Sequence, residues 1–335
     1  MKLSALRTVT ALRTAAVALT AALSVTVVAG AATAEPDKPS AVSSIQKDGR
    51  TWHLKVYSAA MKRDITVDVQ RPADESTPAS NFYMFSGLDG GFGSASWQAQ
   101  TKALDFLADK HVNVVLPIGG RGSYYTDWKQ EDPKLGLNKW KTFFTEELPP
   151  LLDEALNSTG LNALAGLSTS GTSVLQLAEA KPGLFKSVAA YSGCAQIADP
   201  MGKQAVKFAV ETWAGGKTVN MYGPDNDPAW VENDPVIHAE KLRGTHLYIS
   251  SGSGMPTNAD IAYYLQKGLT GVGNLGLGVG IEMATTACSQ NLKAKLDSLN
   301  IPATYQFTPM GTHYWPYWEQ ALHDSWPLLA MGMGI

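Results

Sequence analysis

Apolar residues recur along the chain in short runs, alternating or continuous, at 52–57, 65–69, 81–85, 112–117, 161–165, 187–191, 245–250 and 303–307. Runs this short, rich in Val, Ile, Tyr and Phe, predict strands. Between the later runs lie segments with helical spacing, at 97–110, 140–156, 170–180 and 284–299. Strands that alternate with helices predict an α/β fold with a mostly parallel sheet covered on both faces. The first two runs have no helix between them and predict an antiparallel hairpin at the start of the sheet. Two stretches break the rhythm: 199–233, which carries Trp213 and Trp230, and 255–280, which ends in a glycine-rich run. Both are expected as excursions above the sheet, where substrate pockets are usually built.

No periodic pattern sets in before Trp52, so residues 35–50, with Pro36 and Pro39, are expected as a flexible tether and 51–335 as a single catalytic domain. Residues 1–34 combine a basic start (Lys2, Arg7, Arg13), an apolar stretch over 15–28 and the run Ala32-Thr33-Ala34. That combination predicts a cleaved secretory signal. A membrane anchor would need about 20 strongly apolar residues, and this stretch is short and interrupted by Thr and Ser.

With 44% hydrophobic and 17% charged residues and a net charge of −3, the chain has the balance of a globular protein. No basic patch points to nucleic acid, and no cofactor or metal motif is present. The two cysteines, Cys194 and Cys288, have no metal-ligand spacing. In an exported chain they are expected to pair, the alternative being two buried free thiols.

The chemistry concentrates at Gly166-Leu167-Ser168-Thr169-Ser170-Gly171, which carries an apolar strand through Gly-x-Ser into a helix. This is the pattern of a nucleophile elbow, in which a serine on a crowded strand-to-helix turn needs small neighbours. Ser170 stands where a second glycine is usual, and an ordinary helix cap at Ser168 is the plainer alternative. A serine hydroxyl needs a base, and in this fold the order is Ser, then acid, then His. His246 falls in a strand, His323 in a terminal helix and His238 just before a strand. His313 occupies the loop after the last strand, where the base belongs. For the acid, Asp260 follows the 245–250 strand, the position that topology favours, while Glu282 opens the 284–299 helix. Two amides are needed for an oxyanion: Thr169, after the nucleophile, and Leu88, in the loop Ser86-Gly87-Leu88-Asp89-Gly90-Gly91.

Several further stretches together resemble the mycolyltransferase family that includes the antigen 85 proteins. They are Gly119-Gly120-Arg121-Gly122-Ser123-Tyr124-Tyr125-Thr126-Asp127-Trp128, Trp140-Lys141-Thr142-Phe143, Glu147-Leu148-Pro149, Tyr191-Ser192-Gly193, Gly223-Pro224, Asp227-Pro228-Ala229-Trp230, Asn233-Asp234-Pro235 and Gly311-Thr312-His313-Tyr314-Trp315-Pro316-Tyr317-Trp318. They fall in order across most of the chain. The resemblance implies an α/β-hydrolase fold. It also implies a secreted enzyme of the cell envelope that takes a mycolyl chain from trehalose monomycolate onto Ser168 and passes it to a sugar or other hydroxyl acceptor. It assigns Ser168, Glu282 and His313 as the catalytic set, replacing Asp260, with Leu88 and Thr169 at the oxyanion. Ser192 and Trp315 match positions that line the family's sugar site. Ser86 and Asp89 stand where the family has an Asp and an Arg that grip trehalose, which alters the hydrogen bonds offered to a polyol, because Arg only donates and Asp only accepts. The rival readings are a secreted carboxylesterase of the same fold and a non-catalytic envelope-binding protein.

Overall fold

The computed structural model describes residues 38–335, so the signal expected over 1–34 lies outside the described residues. Nine strands form one sheet among them: β1 (Ala41–Asp48), β2 (Thr51–Ser58), β3 (Arg63–Gln70), β4 (Ala79–Phe85), β5 (Val112–Ile118), β6 (Ser158–Leu167), β7 (Phe185–Tyr191), β8 (His246–Gly252) and β9 (Thr304–Thr308). Their spatial order is β1-β2-β3-β5-β4-β6-β7-β8-β9. Pairings from β1 to β5 are antiparallel, and those from β5 through β4 to β9 are parallel. This is the α/β-hydrolase arrangement, with β2 and β3 as the expected hairpin.

Both faces are covered, so the central strands are apolar throughout. On β4, Tyr83 and Phe85 point into a core shared with Leu164, Phe144 and Leu292, while Phe82 and Met84 point into a second core with Ala163, Ala165 and Leu322. The period of two along a strand makes this division. Helices α1 (Thr169–Ala180) and α2 (Gly268–Ser298) contribute to the first core, and α3 (Trp315–Met333) to the second.

Four expectations are corrected. Residues 41–48 are not part of a tether but the edge strand β1, laddered on β2. With one neighbour and mostly exposed Ser, Gln and Lys side chains, it has no apolar face for the sequence to reveal. The helix expected over 97–110 is broken into Trp97–Gln100 and Ala103–Leu107, where the Thr101 hydroxyl donates to the Trp97 carbonyl, 2.6 Å away. The helix over 140–156 carries a π turn, Phe143–Glu147, before Leu148–Leu156, where Pro149 and Pro150 bring no N–H to bond back. Residues 255–280 are mostly helical: Asn258–Leu265 precedes α2, which is 31 residues long and takes in the glycine-rich run. Each glycine disfavours a helix by about 1 kcal/mol, but Leu292 and Leu296, buried in the core, anchor the far end of α2 and override that local preference. The excursion at 199–233 folds into short helices around Trp230 and Tyr222, including Pro200–Lys207 and the π turn Phe208–Trp213.

Candidate active site

Ser168 alone joins β6 to α1, with φ 57° and ψ −125°. Such backbone is disfavoured for a side-chain-bearing residue by about 1–3 kcal/mol and persists only where its surroundings enforce it. The enforcement is steric: a Cβ on Gly166 would stand 2.5 Å from the Ser170 carbonyl oxygen, and one on Gly171 would stand 2.8 Å from the Gly193 Cα. Ser170 is more than a substitute for glycine. Its hydroxyl donates to the Ser86 carbonyl, 2.7 Å away, and ties the elbow to the loop after β4.

His313 sits between β9 and α3. Its Nε2 lies 2.8 Å from the Ser168 hydroxyl and its Nδ1 lies 2.7 Å from Glu282 Oε2. Glu282 is not at a helix start but midway along α2, fully buried. Its Oε1 accepts from the Gly252 amide (2.7 Å), the Ser192 hydroxyl (2.7 Å) and the Ser251 hydroxyl (3.0 Å). Burial pushes this carboxyl's pKa up, but the hydrogen bond and charge of His313, the Gly252 amide and the Ser192 hydroxyl outweigh it and leave the pKa below its ordinary value. An ionised carboxylate here favours the tautomer with the proton on Nδ1, which turns the Nε2 lone pair toward Ser168.

Asp260, the topological alternative, is engaged elsewhere. It forms a capping box with Thr257 at the start of Asn258–Leu265 and accepts from the Tyr317 hydroxyl at 2.6 Å. His323 stacks on Phe106, with ring centroids 4.0 Å apart, and His238 meets the Val231 carbonyl.

Thr169 opens α1, so its amide has no carbonyl one turn back and faces out of the helix end. The Leu88 carbonyl accepts from the Gly122 amide at 2.9 Å, which fixes that loop. A Cβ on Gly87 would come within 3.3 Å of the Ser168 Cβ, so Gly87, next to Leu88 in the loop, lies close against the serine.

The residues assigned to a sugar site separate. Ser192 is buried, and its hydroxyl donates to Glu282 while accepting from the Trp318 indole at 3.0 Å, so it supports the acid, and it also lines the cavity that reaches Ser168. Ser86 is buried as well. Asp89 pairs with Arg121 at 3.4 Å, and the Arg121 guanidinium also donates to the Trp213 carbonyl. Trp315 packs edge-on against Trp97 and Trp318. Ser251 and Gly252 carried no signal in the sequence, since each acts through a neighbour brought close by folding; Arg121 and Trp318 stood inside stretches of the family resemblance, which gave them no role.

Two cavities meet at His313. One, of about 190 Å³, runs from Ser168 between Met201, Phe208 and Trp213 on one side and Ile281 and Ala284 of α2 on the other. Its lining is largely apolar, and the Cys194–Cys288 disulfide forms part of the wall. The other, of about 310 Å³, is more polar and is lined by Gln100, Tyr263, Lys267, Asn274, Tyr314 and Trp315.

Residues 58–329 match the family model described as "Putative esterase". With this sheet, that match places the protein among the α/β-hydrolases that work on acyl esters, as acyltransferases or hydrolases. Diacylglycerol acyltransferase/mycolyltransferase Ag85A of Mycobacterium leprae is 32% identical over 292 residues, covering 84% of this chain and 83% of its own length. Ag85B of Mycobacterium avium is 33% identical over 294 residues, covering 84% and 83%. The chain belongs to the antigen 85 mycolyltransferase family. Among solved structures, Mycobacterium tuberculosis MPT51 (FbpC1) superposes with a TM-score of 0.71 at 22% identity, covering 85% of this chain and 100% of its own. An S-formylglutathione hydrolase from Agrobacterium tumefaciens does so at 0.63 and 17%, covering 88% and 99%; both share the fold.

Proposed function

We propose that the protein is a secreted acyltransferase that moves a mycolyl chain from trehalose monomycolate to a sugar or other hydroxyl acceptor in the cell envelope. In this reading His313 takes the Ser168 proton as the serine oxygen attacks the ester carbonyl. The oxyanion meets the amides of Leu88 and Thr169. Collapse of the intermediate expels trehalose, which takes the proton from His313 and leaves the acyl chain on Ser168. An acceptor hydroxyl, deprotonated by the same imidazole, then attacks the acyl-enzyme and frees Ser168. Glu282 steadies the imidazolium in both halves.

One observation carries this reading: the Ser168–His313–Glu282 row stands where the apolar cavity meets the polar one. The apolar cavity suits the acyl chain, and the polar one, with Trp315, suits a carbohydrate. The pairing of Asp89 with Arg121 bears on the acceptor, because a fork of donors stands beside the carboxylate that replaces the family's arginine. Export is supported by the sequence of residues 1–34 and by the disulfide. No helix among the described residues is long and apolar enough to cross a membrane.

A fluorophosphonate should label Ser168 in the native protein and leave Ser168→Ala unlabelled. With acyl-labelled trehalose monomycolate and abundant sugar, the label should move to the sugar. Release of free acid under those conditions identifies a carboxylesterase instead. Absence of turnover on every acyl ester identifies a binding protein.

A further inference from the structure

A third cavity, of about 410 Å³, is larger than either of the two that meet at His313 and holds none of the reacting groups. It lies between the start of β3, residues 118–121 at the end of β5, and residues 134–140. The loop after β4, which approaches Ser168 at Gly87, borders this cavity at Phe92. Three cations line it, Arg63, Arg121 and Lys134, against one carboxylate, Asp64, which already accepts from the Ser43 hydroxyl at 2.6 Å. Arg121 divides its guanidinium between Asp89 and the Trp213 carbonyl. Lys134 has no side-chain partner among the described residues.

The remaining polar groups tilt the same way. The Arg63 guanidinium donates to the Leu137 carbonyl at 2.6 Å and to the Met61 sulfur at 3.4 Å, and it stands over the Trp140 ring. Burial lowers its pKa, with Glu131 pulling the other way, so this charge has lost water without gaining a full partner. Asn138 has no acceptor to offer: its nitrogen donates to the Leu135 and Gly136 carbonyls, and its oxygen takes the Trp140 indole. The Thr66 hydroxyl accepts from Lys55 at 2.7 Å and keeps its own proton to give. The cavity therefore presents donors and positive charge, and its complement is a ligand rich in acceptors and negative charge. Two features give that ligand a body. The volume falls within the roughly 300–1,000 Å³ that drug-sized ligands fill, well beyond a bare anion. Phe92, 57% exposed, adds an apolar wall on which the C–H face of a sugar ring can lie.

We infer that this cavity binds an anionic saccharide, a sugar ring carrying a phosphate or a carboxylate, with the anion on Arg63, Arg121 and Lys134 and the ring against Phe92. The test is calorimetric titration of the purified protein with glucose 6-phosphate, glucuronate, glucose and inorganic phosphate, beside Lys134→Glu and Phe92→Ser variants. Both side chains are exposed, so both variants should fold, and Lys134→Glu should keep its rate on a short-chain ester. At least one of the two sugar acids should bind, and glucose should bind at least about tenfold more weakly, having no charged group for the cations. Lys134→Glu should weaken the sugar acid by roughly tenfold, and added salt should weaken it further. Phe92→Ser should weaken the sugar acid and leave inorganic phosphate unchanged. Absence of binding by both sugar acids overturns the proposal, as does an affinity that Lys134→Glu leaves intact. Glucose bound as tightly as its phosphate removes the anion from the reading, and inorganic phosphate bound as tightly as the sugar phosphate removes the sugar; either result overturns it. Affinity lost in Lys267→Gln instead would place the ligand in the polar cavity at His313 and overturn it too. The readout is binding alone, so the outcome is independent of acyl transfer at Ser168.

Discussion

Glu282 shows how much of a site can rest on one buried side chain. One oxygen faces His313 and the other takes three donors, so its charge is favoured even though burial opposes it. Glu282→Gln keeps the shape but presents an amide that can favour the wrong imidazole tautomer, and kcat on a short ester should fall by roughly three to four orders of magnitude. Ser192→Ala removes one donor to a charged group, a loss of about 1.5–3 kcal/mol if fully expressed in the transition state. It should lower kcat/KM by roughly tenfold to a hundredfold, and the acid limb of the pH profile should move up, because a carboxylate with fewer donors holds its proton to higher pH. An unmoved limb would mean that Ser192 does not support the acid. Ser168 and His313 were legible in the sequence because an elbow and a post-strand loop are local patterns. Glu282 was legible only through family resemblance. Topology alone pointed to Asp260, and nothing local distinguishes a carboxylate that caps a helix from one that faces a histidine.

At the scale of elements, α2 is held in place by its context. Gly273, Gly276 and Gly280 have open space where a Cβ would lie, so packing does not require them to be glycine. Replacing each with Ala should stabilise the protein by up to about 1 kcal/mol, read as a higher midpoint in urea. Gly271→Ala should destabilise it, because a Cβ there would stand 1.9 Å from the Tyr264 carbonyl oxygen. If all four behaved alike, the helix would be shaped by something other than local propensity and steric fit. The glycine-rich run looked like a loop in the sequence for the same reason that these substitutions should matter: propensity is read over a few residues, whereas the anchoring at Leu292 and Leu296 comes from across the core. β1 was missed for the converse reason, since a ladder of backbone hydrogen bonds needs no apolar side chains.

For the molecule as a whole, two features should govern stability. The Cys194–Cys288 bond joins residues 94 apart, and in the loop-entropy account closing a loop of that length stabilises by about 4–5 kcal/mol. The Cys194→Ser, Cys288→Ser variant should unfold at correspondingly lower urea, and an unchanged midpoint would contradict that account. The second is Glu179 on α1, a buried carboxyl with one oxygen unpartnered among the described residues. Burial pushes it up to about 9; Lys241 pulls the other way, while Asp234 and Glu240 add to the rise. The folded chain then keeps a proton that the unfolded chain, with an ordinary value of 4.5, has released. Stability from this group is therefore full below the unfolded value and lost as pH rises from there toward the folded value. Glu179→Gln should be more stable than the parent near pH 8, with the difference vanishing as the pH falls to about 4; a difference that did not change with pH would refute this. By itself the sequence determined the alternation of strand and helix, the elbow serine and the loop histidine, because each is written in residues that are neighbours in the chain. Only the tertiary structure decided which carboxylate meets His313, that Ser192 supports it, that Arg121 pairs with Asp89, and which apolar residues stay in water. Those outcomes depend on distances between segments about thirty to ninety residues apart in the chain, which are set when the sheet and its helices pack.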